Sequence, residues 1–351
     1  MYHARICAFV TFVSLCTSCS AQATTTETAA PKSDPIAYLN RALDEMQSQA
    51  LRRGAVDWPR VRAEAMARAA HAENTVDTYD AIRFALASLG DHHSSLHPTP
   101  ALENLELLRK AQHRAIDEPE TQQPPRSPFI GRYEPEGRLE SFRGKNFALV
   151  VVTKCSPENG AQFVAYETKL QKIIADLDRS HPAGWIVDLR GNVGGNMWPM
   201  LAGIGPVLGE GDDLGEAFNT DGHSVVRYRN GVAAEVEDNG KVNSYPRVEG
   251  APYKVADTPN VAVLIDGGTG SSGEAIAIAF RGRPRTRFFG EHTEGVSTVN
   301  ETFALSDGAS MWLTIGVQAD RSGKQYLNGL APDEIIPLGD RIMPDPQDPV
   351  L

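Results

Sequence analysis

Cysteine is scarce in this chain of 351 residues, which has four thiols, at Cys7, Cys16, Cys19 and Cys155. The first three lie in an N-terminal stretch with the features of an export signal, so a cleaved chain keeps only Cys155. One cysteine cannot form an internal disulfide, and an exported protein of this kind therefore relies on its hydrophobic core. Cys155 follows an apolar strand and is interpreted as a structural residue.

Blocks of basic residues are also missing. The net charge is −11, the isoelectric point is about 5.3, and Lys and Arg are scattered along the chain. This balance argues against nucleic acid or an anionic membrane surface as the main partner. No internal repeat is present. The hydrophobic content is typical of a globular protein, and the length allows one large domain or two modest ones.

Two common ligand signatures are absent as well. The Gly-rich turn at 190–196 lacks both the G-x-G-x-x-G spacing and the lysine of a phosphate-binding loop, so it predicts no nucleotide cofactor. His92, His93 and His97 lie close together, but Pro98 prevents a helix there and no carboxylate pair completes a metal site. We therefore expect neither a cofactor nor a metal. A polar loop or a general base remains as the interpretation of these histidines.

The N-terminus has the features of a targeting signal. Arg5 precedes an apolar stretch, residues 6–15, that is too short to span a membrane, and Ala21-Gln22-Ala23 fits a signal-peptidase site. The segment Cys16-Thr-Ser-Cys19 is an imperfect lipobox, so lipidation at Cys19 is the alternative to cleavage after Ala23. We expect an exported protein, periplasmic or extracellular, that is either free or anchored to a membrane by lipid.

The remaining chain divides into a small helical region and a larger core. Residues 24–35, rich in Thr and Ala, are interpreted as a disordered tether. Apolar spacing over 36–115 predicts an N-terminal helical bundle. The Pro-rich segment 116–132 predicts a linker, residues 133–340 form the predicted core, and 341–351 form a C-terminal tail.

Buried strands alternate with helices in the core. The apolar runs 147–153 and 184–190 flank an amphipathic helix at 160–177, which predicts parallel strands joined by a right-handed crossover. A third apolar run, Val261 to Ile265, leads through a turn of small residues into another helix. These elements predict a mixed α/β fold with flanking helices, preceded by the bundle.

Ser271 and Ser272 lie where the strand at 261–265 turns into a helix. A hydroxyl at this position is held on a rigid turn, beside free backbone N–H groups at the positive end of the helix. A nucleophile for acyl transfer needs that setting, because the oxyanion of the tetrahedral intermediate requires donors already in place. An ordinary N-cap serine is the structural alternative.

Four motifs follow one another along the chain. They are Leu89-Gly-Asp-His-His-Ser94, Asp188-Leu-Arg-Gly-Asn-Val-Gly-Gly195, Thr269-Gly-Ser-Ser-Gly-Glu274 and Gly329-Leu-Ala-Pro-Asp333. In this order they resemble the motifs of S41 serine peptidases, the family of carboxy-terminal processing proteases and the tricorn core. The stretch from His93 to the first core strand is too short for the PDZ domain of many members. The chain is thus more similar to PDZ-less members of the nisin-resistance type.

This resemblance implies a crotonase/ClpP-like core, a peptide or protein substrate, and roles for individual residues. Ser271 becomes the nucleophile, since the family serine lies three residues before the glutamate of its motif. His93 aligns with the family histidine and becomes the general base. Ser272 and either Gly194 or Gly195 would supply the N–H groups of the oxyanion hole.

Two departures from the family pattern concern the third catalytic member. Val296 occupies the place of the lysine in Ser/Lys members, and a valine cannot accept a proton. Tyr326 occupies the place of the glutamate in tricorn-like members. A Ser–His dyad is therefore expected. The candidates for a group that orients the histidine are Asp91, Glu274, Glu294 and His292.

The expected function is that of an exported serine endopeptidase of the carboxy-terminal processing type. Bundle and core would form opposite walls of its substrate groove, so that their motion changes the distance between His93 and Ser271. A non-catalytic module that binds a hydrophobic ligand or a peptide on the same fold is the main alternative, favoured by the missing lysine and glutamate. A crotonase-like acyl-CoA enzyme is the third reading, and the export signal argues against it because acyl-CoA is cytosolic.

Overall fold

A computed structural model describes residues 34–113, 127, 129–156, 159–219, 222–245, 247–337 and 348. The predicted signal peptide, Cys19 and nearly all of the predicted tether lie outside these residues. So do most of the predicted linker and of the C-terminal tail. Within the described ranges, no helix is both long enough and apolar enough to cross a bilayer.

The predicted strands at 147–153, 184–190 and 261–265 are present, and the structure adds further elements. The helices are α1 (Pro35–Gln49), α2 (Trp58–Arg68), α3 (Tyr79–Ala87), α4 (Pro100–His113), α5 (Gly160–Asp178), α6 (Met197–Leu208) and α7 (Ser272–Phe280). The strands are β1 (Ser95–His97), β2 (Glu136–Phe142), β3 (Lys145–Val151), β4 (Trp185–Asp188), β5 (Glu216–Asn219), β6 (Gly222–Arg229), β7 (Val232–Glu237), β8 (Val242–Ser244), β9 (Val261–Ile265), β10 (Thr286–Gly290), β11 (Thr298–Ala304), β12 (Ser310–Ala319), β13 (Gln325–Tyr326) and β14 (Glu334–Ile335). Two short 3₁₀ helices, Arg53–Ala55 and Thr75–Thr78, connect the first three α-helices.

One sheet has the strand order β14-β10-β9-β4-β3-β2. Its strands are parallel except β2, which pairs antiparallel with β3. The parallel unit β3–α5–β4 confirms the predicted strand–helix–strand arrangement. The sequence analysis missed β2, because its residues are almost all exposed and provide no apolar pattern.

The other sheet is antiparallel, with the order β1-β12-β5-β6-β7-β8 and with β11 and β13 also paired to β12. Strands β6 and β7 form a hairpin around residues 229–231. Asn230 and Gly231 both have positive φ, at 49° and 75°, as a two-residue hairpin turn requires. The sequence analysis missed β1, which is only three residues long and pairs with β12 far along the chain.

Two hydrophobic cores hold these layers together. The first packs α5, α6 and α7 against the parallel sheet. Its fully buried members include Leu170, Ile174, Val187, Ile204, Val263 and Ile276. The second packs the three-helix bundle against the antiparallel sheet. Its fully buried members include Leu39, Leu43, Met46, Ile82, Met311 and Leu313. Each such side chain contributes roughly 1.5–3 kcal/mol by leaving water.

Three connections place the polar side chains of interest at one edge. The turn after β4 leads into α6, and the turn after β9 leads into α7, so both turns lie at the carboxyl edge of the parallel sheet. His93 arrives from the other sheet, since it directly precedes β1 and β1 pairs with β12. The site is therefore assembled where the two sheets meet.

Candidate active site

Ser271 and His93 are in hydrogen-bond contact. His93 Nε2 lies 3.1 Å from Ser271 Oγ, although the residues are 178 positions apart. Ser271 occupies the N-cap position of α7, as the structural alternative required, but its φ of 50° and ψ of −118° are strained for a residue with a side chain. A serine on a strained strand-to-helix turn has the geometry of a nucleophile elbow.

Thr298 orients the imidazole ring. Its Oγ1 lies 2.7 Å from His93 Nδ1. When this hydroxyl accepts a hydrogen bond from Nδ1–H, the lone pair of Nε2 faces Ser271, which is the tautomer that a general base needs. The sequence analysis missed Thr298, because a threonine hydroxyl belongs to no motif and the contact joins residues 205 positions apart.

Asp91 holds the backbone around the histidine. Its carboxylate accepts hydrogen bonds from the N–H of His93 at 3.0 Å, the N–H of Ser94 at 2.8 Å and the hydroxyl of Ser94 at 2.7 Å. The Ser94 hydroxyl also accepts from the N–H of Thr314 in β12. The Asn300 side chain in β11 donates to the His93 carbonyl at 3.1 Å. His93 is therefore fixed to the antiparallel sheet.

The charge state of His93 suits a proton acceptor. Burial lowers its pKa to about 4, and the nearby charge of Asp91 offsets only part of that shift. The imidazole is consequently neutral at neutral pH. Thr298 is uncharged, so it orients the ring without adding the electrostatic support that a carboxylate gives to an imidazolium.

Glu274 accepts a hydrogen bond from the backbone of Ser271. Both oxygens of this fully buried carboxylate are occupied, and burial raises its pKa. One accepts from the N–H of Ser271 at 3.1 Å and of Val296 at 2.9 Å. The other accepts from the N–H of Gly295 at 3.0 Å and the hydroxyl of Thr293 at 2.6 Å. Glu274 thus ties the loop at 293–296 to the turn that carries the serine.

The other candidates for orienting the histidine, and the two residues that depart from the family pattern, lie in different surroundings. Glu294 lies against Gly270, where an added Cβ would come within 2.2 Å of its Oε2. His292 is exposed. Val296, at the place of the family lysine, is buried. Tyr326, at the place of the family glutamate, is buried and donates its hydroxyl to Asp320 at 2.7 Å.

The glycine turn abuts the serine. A Cβ on Gly194, whose φ is 108°, would lie 2.8 Å from Ser271 Cβ, so only glycine fits there. The N–H of Gly194 donates to Asn192 Oδ1 at 3.0 Å. In the part of the chain that the structure describes, the N–H groups of Ser272 and Gly195 have no hydrogen-bond partner. These two donors are therefore not engaged by other described residues.

A buried charge network supports this turn. Arg190 donates from Nε and Nη2 to the two oxygens of Asp188, both at 2.9 Å, and from Nη1 to Asp348 at 2.9 Å. Burial alone would raise the pKa of Asp188, but Arg190 and Arg132 hold it below its usual range. Asp348, from the predicted tail, therefore contacts the motif that shapes the glycine turn.

The other reactive side chains have structural surroundings. Among the described residues, no group of three or more His, Cys, Asp or Glu side chains could hold a metal ion. His97 packs against Trp312, with ring centroids 4.0 Å apart and ring planes tilted by 30°, and its Nε2 lies 2.8 Å from Ser95 Oγ. Burial raises the pKa of the Cys155 thiol to about 12, which makes it unreactive.

Comparison with known sequences gives one family and several relatives. The family described as Peptidase family S41 matches residues 146–336. The nisin-resistance protein of Lactococcus lactis subsp. lactis is 26% identical over 303 residues, which cover 85% of this chain and 82% of that protein. A carboxyl-terminal-processing protease of Synechocystis is 27% identical over 162 residues, which cover 46% of this chain and only 32% of that protein.

Solved structures share the fold. A lipoprotein from Streptococcus agalactiae superposes with a TM-score of 0.62 at 22% identity, covering 86% of this chain and 92% of that one. The photosystem II D1 C-terminal processing protease gives 0.56 at 17% identity, with 87% and 93% covered. At such identities the likeness concerns the fold alone. It confirms the predicted mixed α/β fold with an N-terminal helical region.

Proposed function

The chain belongs to peptidase family S41 and is a serine-type peptidase, and from this premise we propose that Ser271 is the nucleophile and His93 the general base. The observation that carries the proposal is the 3.1 Å contact between His93 Nε2 and Ser271 Oγ. The strained turn at Ser271 and the neutral state of His93 support it.

The proposed reaction is acyl transfer to the serine followed by hydrolysis. His93 Nε2 takes the Ser271 hydroxyl proton while Oγ attacks the carbonyl carbon of the scissile peptide bond. The N–H groups of Ser272 and Gly195 donate to the oxyanion. The imidazolium then gives its proton to the leaving amine, and the C–N bond breaks. A water molecule, activated by the same imidazole, hydrolyses the acyl-enzyme and restores Ser271.

Of the two glycines predicted for the oxyanion hole, we favour Gly195. The N–H of Gly194 is already engaged by the Asn192 side chain, so its use would first require that bond to break. Gly195 is held beside Ser272, the residue that follows the nucleophile, since its carbonyl accepts from the Ser272 hydroxyl at 2.6 Å. Gly194 serves instead by leaving room for the Ser271 side chain.

We further propose that the enzyme acts outside the cytoplasm on peptides or proteins. The N-terminal signal supports export, and Cys19 offers the alternative of a lipid anchor. Cleavage near the carboxyl end of a substrate is supported by the relatives named as carboxyl-terminal-processing proteases.

The test is labelling of the purified protein with a fluorophosphonate, followed by mass mapping of the adduct. We expect one adduct on Ser271, which Ser271→Ala abolishes without loss of folding. His93→Ala should slow labelling by roughly 10²–10⁴-fold, the effect of removing a general base. His97→Ala is the matched control and should label like the wild type, because that ring packs against Trp312.

Two outcomes would contradict the proposal. A folded protein that takes no label would favour the binding module on the same fold. A larger effect of His92→Ala than of His93→Ala would show that the general base is assigned to the wrong histidine.

A further inference from the structure

The carboxylate of Asp348 is buried against the turn that leads from β4 into α6. Its Oδ1 accepts a hydrogen bond from Arg190 Nη1 at 2.9 Å, and its Oδ2 lies 2.7 Å from Arg190 Nη2. The side chain of Asp348 is 7% exposed and that of Arg190 is 1% exposed. The two residues are 158 positions apart, and the reaction proposed above gives Asp348 no role.

Asp348 balances the charge of a buried group of ionised side chains. Arg190 and Arg132 both donate to the buried carboxylate of Asp188. Two guanidinium groups thus face one carboxylate, and Asp348 supplies a second negative charge. A buried guanidinium whose acceptor is removed stays desolvated without compensation, which is strongly unfavourable. We therefore expect Arg190 to shift when Asp348 is replaced.

Arg190 packs against the start of the glycine turn. Its guanidinium lies 4.1 Å from the centre of the Phe129 ring. The backbone of Phe129 contacts Gly191, where an added Cβ would lie 2.3 Å from the Phe129 carbonyl carbon. The N–H of Gly191 donates at 2.9 Å to the buried carboxylate of Asp266, which directly follows β9. Because a close-packed interior transmits displacements, a shift of Arg190 also moves the glycine turn.

Asn192 joins the glycine turn to the turn that carries the nucleophile. Its carbonyl accepts from the N–H of Gly270, the residue before Ser271, at 2.9 Å. Its side-chain oxygen accepts from the N–H of Gly194 at 3.0 Å. A continuous series of contacts therefore leads from Asp348 to both turns of the site.

We propose that Asp348 is a positioning residue, which acts through Arg190 to hold the glycine turn, and with it the N–H of Gly195, in place beside Ser271. The proposal rests on the proposed peptidase function and adds a residue near the C-terminus to its machinery. An oxyanion donor is effective only at hydrogen-bond distance from the developing charge. A small displacement of the turn therefore slows acyl transfer more than it weakens binding.

The first measurement is the rate at which a fluorophosphonate labels Ser271, because the phosphoryl oxygen of this probe occupies the oxyanion hole as it reacts. The maximal labelling rate and the half-saturating probe concentration are determined separately. Asp348→Ala removes the carboxylate, whereas Asp348→Asn keeps its shape and one acceptor but not its charge. Glu334→Gln is the matched control, since it neutralises another carboxylate that pairs with an arginine, Arg287 at 3.3 Å.

We expect Asp348→Ala to lower the maximal labelling rate about tenfold to a hundredfold, with little change in the half-saturating concentration. Asp348→Asn should lose less, because its amide oxygen still accepts from Arg190. Glu334→Gln should label like the wild type. Labelling by the Asp348 variants should keep the wild-type dependence on pH, because the burial of His93 and the charge of Asp91 are unchanged.

Hydrogen–deuterium exchange, read by mass spectrometry, separates positioning from general stabilisation. In both Asp348 variants, residues 190–196 should exchange faster than in the wild type, because the turn opens more often. Helix α3 belongs to the other hydrophobic core and should keep its wild-type rate. The Asp348→Asn protein provides the same two measurements if Asp348→Ala does not fold.

Labelling of both Asp348 variants at the wild-type rate would overturn the proposal. So would exchange that is faster throughout the chain, α3 included, since Asp348 would then stabilise the fold and not the turn in particular. Either result can occur while the wild-type protein is labelled at Ser271, and then only the role of Asp348 is wrong. If wild-type Ser271 takes no label, the proposed peptidase function itself fails.

Discussion

At the residue scale, the unusual feature is a histidine whose Nδ1 faces a hydroxyl. Thr298 at 2.7 Å fixes the ring, while burial depresses the basicity of the imidazole. The nearest charge that raises its pKa is that of Asp91, whose oxygens bond the backbone and Ser94. The proposed base is therefore well oriented but weak.

The first prediction concerns pH. Because burial lowers the pKa of His93 to about 4, the base stays unprotonated well below neutrality. The acid limb of the kcat/KM profile should therefore fall near pH 4, whereas an unperturbed histidine would place it near pH 6.5. Asp91→Asn should move the limb lower still, since it removes the charge that raises the pKa. A wild-type limb at pH 6.5 would contradict the assignment.

The same shift has a consequence for stability. The unfolded chain takes up a proton at His93 near pH 6.5, before the folded chain does. The folded state therefore loses stability as the pH falls from about 6.5 towards 4, where His93 of the native protein also titrates. Urea unfolding of wild type and His93→Gln measures this effect: the difference between their free energies of unfolding should change with pH below about 6.5 and become independent of pH above about 7.

The second prediction concerns Thr298. Thr298→Val keeps the shape but removes the hydroxyl at His93 Nδ1, so kcat should fall roughly tenfold to a hundredfold, the range for losing one hydrogen bond to a group that becomes charged. KM should change little, because Thr298 touches the base and not the substrate. Thr298→Ser should retain most of the activity. Equal losses in the valine and serine variants would indicate a packing role instead.

At the element scale, the β11–β12 hairpin connects the site to the bundle. Thr298 lies at the start of β11, and Asp307 lies in the turn of the hairpin. The Asp307 carboxylate accepts the hydroxyl of Tyr38 at 2.9 Å and that of Tyr79 at 2.7 Å. Both tyrosines belong to the bundle, in α1 and α3. The bundle thus holds the hairpin that carries the group orienting His93.

The third prediction tests this connection. Asp307→Ala removes the acceptor of both tyrosines and should lower the free energy of unfolding by about 2–4 kcal/mol, since two hydrogen bonds to a charged group are lost. Fluorophosphonate labelling at Ser271 should slow as the hairpin loosens. A double-mutant cycle that combines Asp307→Ala with the Tyr38→Phe/Tyr79→Phe variant separates the energy of these two hydrogen bonds from other effects of the substitutions. If Asp307→Ala is no less stable than the wild type, the contact is unimportant.

At the scale of the whole molecule, each core depends on a different sheet. The bundle has no separate core, because Met311 and Leu313 of β12 complete it. The same strand pairs with β1, which follows His93, and with β11, which begins at Thr298. Unfolding of the bundle would therefore expose β12 and release His93 together.

The fourth prediction is a single cooperative unfolding transition. Trp58 is buried in the bundle and Trp185 in the core of the parallel sheet. Chains that keep only one of these tryptophans, with the others changed to Phe, report on each region by fluorescence. In each variant, the urea midpoint measured by tryptophan fluorescence should coincide with the midpoint measured by far-ultraviolet circular dichroism. Because both probes are read on the same variant, differences in stability between variants do not affect the comparison. An earlier transition at Trp58 would show that the bundle unfolds independently.

Local pattern alone determined much of this architecture. The strand at 261–265 and the helix at 160–177 follow from apolar runs and periodicity, which act over a few neighbouring positions. The same patterns placed Ser271 at a strand-to-helix turn, and the His93 motif suggested a base. Strands without an apolar face, such as β2, escaped this reasoning because nothing in their sequence distinguishes them from a loop.

Tertiary structure alone decided how these groups act together. The contacts of His93 with Ser271 and Thr298 join residues 178 and 205 positions apart, and no local pattern encodes such pairs. The same holds for the choice between Gly194 and Gly195. A hydrogen bond depends on ångström-scale distances between separate elements. Those distances exist only once both cores have packed and brought the two sheets together.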